Sequence, residues 1–126
     1  MICGIGIDLV ENDRLARIIA KWGSKFLQRV FSDGEISYCE KHVQAAVNYG
    51  ARSAAKESFV KALGIGLGRG IKLKEIEVVN DKKGKPDLVL RGEAKAQIEK
   101  RKIVKVHLSL THTKSYASAI VLLEKK

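Results

Sequence analysis

The sequence predicts an α+β fold, with a small antiparallel sheet covered by helices and one long central helix. Three observations carry this. Residues 104–111 set Val104, Val106, Leu108 and Leu110 against Lys105, His107, Ser109 and Thr111, the period of two that marks a half-buried strand. Residues 43–63 instead repeat apolar positions at three- and four-residue steps, through Val47, Ala51, Ala54, Ala55, Phe59, Ala62 and Leu63, which is one stripe along a helix of about 20 residues. Few connections between the strand candidates are long enough for a parallel crossover, so the strands pair antiparallel.

The elements follow in order. Residues 2–10 alternate Ile5, Ile7 and Leu9 with Gly6, Asp8 and Val10, a first strand with an acid near its end. Asn12 or Asp13 can cap a helix through Leu15, Ile18, Ile19 and Trp22, stopped by Gly23. A short helical stretch holds Phe26, Leu27, Val30 and Phe31. Ser32 and Glu35 have the spacing of a reciprocal capping box and open a third helix with Ile36, Tyr38 and Cys39. The long helix ends where Gly64, Gly66, Gly68 and Gly70 forbid regular structure, a loop that a ligand can approach closely. Residues 76–80 and 88–91 form a hairpin around the polar turn 81–86, and Glu93–Arg101 is a weakly amphipathic helix. Tyr116–Leu123 is almost wholly apolar, a central strand reached through His112-Thr113-Lys114-Ser115.

Length and composition bound the function. At 126 residues the chain fits one domain, 1–126, and 45% apolar with 30% charged residues excludes disorder over most of it. No apolar run approaches the roughly 18 residues of a membrane span, and Asp8 interrupts what would be a signal peptide, so a cytoplasmic protein with no membrane partner is expected. Cys3 and Cys39 lie far apart without zinc spacing and are expected as free thiols. Twenty-four basic against fourteen acidic side chains give a formal charge of +10, so the partner is acidic: a nucleic acid, a phosphate-rich small molecule or an acidic protein. The absence of a Gly-x-x-x-x-Gly-Lys-Ser/Thr loop argues against a phosphate-loop nucleotidase. Scattered aromatics, 6% of the chain, argue against an RNA-binding sheet.

Three groups of residues could carry chemistry. Asp8, an acid in an apolar strand, needs a cation, donors or a metal if buried. Glu57 and Lys61, four apart on the long helix beside the small Gly50 and Ser53, read either as a surface ion pair or as part of a site. Two carboxylates with a lysine one turn on are also what a magnesium-bound phosphate requires, because magnesium takes few protein oxygens and fills its octahedron with phosphate oxygens and water. His112, at a strand end among hydroxyls, is either a turn histidine bonded to backbone or a functional one. His42 and His107 are expected at the surface.

Gly4-Ile5-Gly6-Ile7-Asp8-Leu9-Val10-Glu11, the block Arg52 to Gly64, and Leu110-Thr111-His112-Thr113 with Tyr116-Ala117 together resemble the signature blocks of the holo-[acyl-carrier-protein] synthases, the small bacterial group of 4′-phosphopantetheinyl transferases. The resemblance spans nearly the whole chain in order. Val30 to Glu35 and Lys85 to Leu88 resemble further features of that family, while Ser53 stands where an aromatic is common and Leu110-Thr111 replaces Ile-Ser.

The resemblance implies transfer of the 4′-phosphopantetheine arm of coenzyme A to a serine of apo acyl carrier protein in fatty acid biosynthesis, with release of adenosine 3′,5′-bisphosphate. It implies Mg²⁺ held by Asp8 and Glu57, with Lys61 on the same phosphates. Arg52, His112 and Thr113 match positions holding the 3′-phosphate and adenosine end, and Gly64 to Gly70 match the segment beside the nucleotide. Arg14 and Arg17 match the face turned to the acidic carrier protein. A homotrimer with sites between protomers is implied too. The serine needs a base, for which Glu57, directly or through water, is the first candidate and Asp33 the second. Two readings from other classes stay open: a basic nucleic-acid-binding module, and a non-catalytic binder of coenzyme A or carrier protein.

Overall fold

A computed structural model describes residues 1–65 and 70–126. The order is β1 (Ile2–Glu11), α1 (Asn12–Trp22), α2 (Ser24–Val30), α3 (Asp33–Glu40), α4 (Ala45–Leu63), a 3₁₀ turn (Leu73–Glu75), β2 (Ile76–Asn80), β3 (Pro86–Leu90), α5 (Gly92–Lys100), β4 (Ile103–His112) and β5 (Tyr116–Lys125). The α+β expectation holds, with the strands divided between a three-stranded antiparallel sheet, β1-β5-β4, and a separate β2-β3 hairpin. β5 is central, as its apolar run predicts. No helix among the described residues is long and apolar enough to cross a membrane.

The long helix is less one-sided than its stripe suggests. Tyr49, Gly50, Arg52, Lys56 and Ser58 are buried along with the apolar positions, because α4 passes between the sheet, the α1–α3 layer and the hairpin. Phe59, Val60, Ala62 and Leu63 pack with Ile71, Ile76, Val121 and Leu123. Leu15, Val30, Phe31, Cys39 and Tyr49 form a second cluster under α1–α3.

Which face of β1 turns inward differs from what the strength of its apolar residues suggests. Ile5, Ile7 and Leu9 remain 61, 63 and 65% exposed. The face of Gly4, Gly6, Asp8 and Val10 lies on α4, and a Cβ at Gly6 would collide with the Ser58 carbonyl oxygen. Glycine is therefore what lets strand and helix backbones touch.

Three further differences have local causes. Val104 is exposed because the register slips between Ile103 and Lys105, so the alternation of β4 begins one residue later. Neither Asn12 nor Asp13 is the helix cap. Glu11 holds that position without a side-chain bond, and Asn12 is the first residue of α1. Val43 lies outside α4, which starts at Ala45. The capping box of α3 forms as expected: Glu35 N–H donates to Ser32 Oγ (3.2 Å), and Ser32 N–H donates to Glu35 Oε1 (2.9 Å). Both cysteines are free, and burial pushes the Cys39 thiol up to about 12.

Candidate active site

Asp8 sits on β1 opposite Ala119, with its side chain directed to the α4 side and 17% exposed. Its counter-ion is Lys61 on α4. The Lys61 ammonium donates to Asp8 Oδ1 and to the Ile7 carbonyl, each at 3.0 Å. Lys61 thus crosses from helix to strand, and the ordinary surface pair with Glu57 four residues earlier does not form. Glu57 is one turn up the same helix. Burial first, then the charge of Asp8, raises its carboxyl above the usual range, with Lys61 opposing. Two carboxylates crowded this way favour a shared cation.

Asp8, Ser53 and Glu57 line a cleft of about 410 Å³ with Glu11 and Arg14 at its side and Leu15, Ile18 and Phe26 as apolar wall. Beyond Ile18 and Phe26 the wall continues into a groove of about 360 Å³ formed with Trp22, Lys25 and Arg29. The second surface is apolar at its floor and basic at its edge. Sequence reasoning missed it because the groove is shared between two helices broken at Gly23, with Ile18 and Trp22 four apart on α1 and Lys25 and Arg29 four apart on α2.

The other residues singled out lie apart from the cleft. His112 ends β4 opposite Ala117, and β5 separates it from β1. Thr113 shapes the following turn: its Oγ1 accepts from Ser115 N–H (3.3 Å) and Tyr116 N–H (3.0 Å). Arg52 is buried on another flank of α4, where its guanidinium donates to Asn80 Oδ1 (2.7 Å) and lies 4.1 Å over the Tyr38 ring. Its Nε has no hydrogen-bond partner among the described residues. Asp33 lines a separate cavity with Ser32, Lys72 and Arg91. Arg17 is an exposed residue of α1 that does not line the cleft. Gly64 ends α4 with a left-handed φ of 74°. Residues 66–69 of the expected glycine loop lie outside the described residues. His107 pairs with Glu124 at 2.8 Å, and His42 bonds the Tyr38 carbonyl, both at the surface.

Residues 4–121 match the model of the 4′-phosphopantetheinyl transferase superfamily. The chain belongs to this family. Within it, the holo-[acyl-carrier-protein] synthase of Syntrophus aciditrophicus is 55% identical over 124 residues, spanning 98% of this chain and 97% of that protein. The crystal structure of the Neisseria meningitidis holo-[acyl-carrier-protein] synthase has a TM-score of 0.91 at 30% identity, with 99% of this chain and 100% of that one covered. The Bacillus anthracis synthase, solved in complex with CoA (3′,5′-ADP), has a TM-score of 0.82 at 34% identity, covering 100% of this chain and 99% of that one. This phosphopantetheinyl transferase is accordingly an enzyme of the holo-[acyl-carrier-protein] synthase group. In it the strand acid, the helix acid and Lys61 come together, while the turn histidine and Arg52 stand elsewhere in the same chain.

Proposed function

We propose that the whole chain, 1–126, is one transferase domain that moves the 4′-phosphopantetheine arm of coenzyme A to a serine of apo acyl carrier protein, in the cytoplasm and in service of fatty acid biosynthesis. The serine oxygen forms a bond to the phosphorus next to the pantetheine arm. The bond from that phosphorus to the bridging oxygen breaks, and adenosine 3′,5′-bisphosphate leaves. The observation that carries this reading is the meeting of Asp8 and Glu57 at one cleft, with Lys61 bonded to Asp8, from a strand and a helix held together by backbone contact.

The donor set fits Mg²⁺, with Asp8 and Glu57 as its protein ligands. Two crowded carboxylates supply few oxygens, as that ion requires, and substrate phosphate and water supply the rest. Bound there, the ion would neutralise charge on the leaving bisphosphate. Lys61 adds a cation on the same phosphates. Glu57, directly or through a water, accepts the serine proton. Asp33, in its separate cavity, is the poorer candidate.

Arg52, His112 and Thr113 are proposed for the 3′-phosphate and adenosine end, with Gly64 at the edge of the same segment. For Arg52 the support is one atom, the buried Nε–H that has no acceptor among the described residues. His112 and Thr113 lie across β5 from Asp8, which supports a site completed between protomers of a homotrimer. The apolar strip of Ile5, Ile7 and Leu9 supports the same assembly, since a neighbour would cover it. Arg14 at the cleft, Arg17 along α1 and the basic-rimmed groove of Trp22 support docking of an acidic, amphipathic carrier protein.

The test is direct. The protein is mixed with coenzyme A, Mg²⁺ and apo carrier protein, and the carrier's mass is followed. Addition of the arm is expected, with loss of addition in Asp8→Asn and in Glu57→Gln while both variants stay folded. Full magnesium-dependent transfer by both variants would refute the assignment.

A further inference from the structure

We propose that Asn12 is a positioning residue for the nucleotide end of the substrate: it ties the β4–β5 turn carrying His112 and Thr113 to the start of α1, four residues after Asp8. The inference rests on the function proposed above. Asn12 is 2% exposed, and its side chain leaves its own helix. Its Nδ2 donates to the carbonyls of Thr113 (3.2 Å) and Lys114 (3.1 Å), and its backbone N–H donates to the carbonyl of Ser115 (2.9 Å). Three consecutive carbonyls of one turn are thus held by one residue about a hundred positions away. The turn's own bonds, from the amides of Ser115 and Tyr116 to Thr113 Oγ1 and between Thr113 N–H and Tyr116 O, shape it internally but do not fix its place on the body.

Packing alone does not explain an asparagine there. Its Oδ1 is buried without a hydrogen-bond partner among the described residues, which is unfavourable. That oxygen also occupies the space a Cβ at position 50 would need, so α4 carries Gly50 in its interior, where alanine is the better helix former. An apolar residue at 12 would escape the first penalty. It could not donate two hydrogen bonds to the turn. Those donors are what the arrangement keeps, and they fix the turn bearing His112 and Thr113 on the body of its own chain, from which, in the assembly proposed above, the two residues reach a neighbour's cleft.

Three variants separate positioning from stability: Asn12→Ala, Gly50→Ala and the two combined. Asn12→Ala is expected to raise KM for coenzyme A about tenfold, the loss of two ordinary hydrogen bonds, with kcat and the carrier-protein KM within about twofold. Hydrogen exchange at the amides of Ser115 and Tyr116 should quicken in the same variant, independently of activity. Gly50→Ala alone forces the amide aside and should act in the same direction. In the double variant the clashing amide is gone and the nearest of the remaining neighbours is Ala117 Cβ, at 3.4 Å, so thermal stability should return while the raised KM persists, because the donors are still missing. A double variant whose KM returns with its stability would show that Asn12 only fills space, and would overturn the proposal. His112→Ala and Thr113→Ala run alongside. If they raise the coenzyme A KM and Asn12→Ala does not, this proposal alone fails; if neither raises it, the nucleotide role of the turn fails and takes this proposal with it.

Discussion

Lys56 and Glu35 form a fully buried ion pair, and removing one partner should be among the most damaging single changes in the molecule. The Lys56 ammonium donates to Glu35 Oε1 at 2.6 Å and to the carbonyls of Leu73 (3.1 Å) and Ile76 (2.5 Å), with both side chains 0% exposed. Glu35 also accepts from the amides of Ser32 and Val78, each at 2.9 Å. Burial pulls the lysine's proton affinity down, and Glu35 opposes it. Glu35→Ala strands an ammonium and leaves two amides without acceptors, which should cost about 3–5 kcal/mol out of a total of about 5–15. Removing the charge at the other end, by Lys56→Met, leaves Glu35 with two donors and should cost less. Glu35→Gln with Lys56→Met leaves no buried charge and an acceptor for the amides, so the pair of changes should cost clearly less than the sum of the single ones. Urea unfolding followed by circular dichroism on the wild type, Glu35→Gln, Lys56→Met and their combination gives the four corners of the cycle, with Glu35→Ala measured beside it. A loss below about 1 kcal/mol in Glu35→Ala, or additivity within about 0.5 kcal/mol, would refute the reasoning.

Gly6→Val should disrupt β1 against α4, since its Cβ would meet the Ser58 backbone, and a loss of about 3 kcal/mol or more in denaturation is expected together with loss of transfer. On the proposed homotrimer, Ile7→Asp on the outer sheet face should leave the chain folded and shift sedimentation from trimer to monomer; a wild type that sediments as a trimer and a variant that does so unchanged would refute that face as the interface. Arg14→Glu should raise the carrier-protein KM steeply and the coenzyme A KM little, Arg17→Glu should act in the same direction, and rising salt should weaken the wild type more than either variant. Partial burial of Glu77 pushes its carboxyl up, but hydrogen bonds from Ser32 and Arg91 outweigh that and hold it below 4.5. Its contribution to stability is therefore present above that value and lost as pH falls through the lowered one, so Glu77→Gln should flatten the acid limb of a stability–pH curve.

Local patterns made most of the fold legible. The alternation in β4 from Lys105 onward, the buried apolar stripe of α4 and the Ser32–Glu35 box each depend on neighbours within one turn or strand, and these formed. The carboxylate of Asp8 was legible as needing a partner, and Lys61 was already beside Glu57 as a candidate. What stayed hidden depends on contacts between distant segments. That Gly6 rather than Ile7 faces inward follows from a helix more than 50 residues later. Asn12 read as a cap because its type and place suit one, yet its amide is taken by a turn at the far end of the chain. Lys56 had a weak signal, a lysine amid Ala54, Ala55 and Phe59, but nothing local names Glu35 as its partner. Arg52 gives no sign in sequence that Tyr38 and Asn80 enclose it.

The glycine side of β1 has a mechanical consequence. Where Gly4 and Gly6 meet α4, nothing softer than main-chain atoms separates strand from helix, so the spacer between the two acids is the backbone itself. A side chain wedged there could adopt another rotamer as the interior repacks; a carbonyl against a Cα has no such freedom. Substitutions among Phe59, Val121 and Leu123 should then alter melting temperature while the offset of Asp8 from Glu57 stays constant. The enzyme has a gauge block at its centre, and tolerance to drift elsewhere in the interior follows from it.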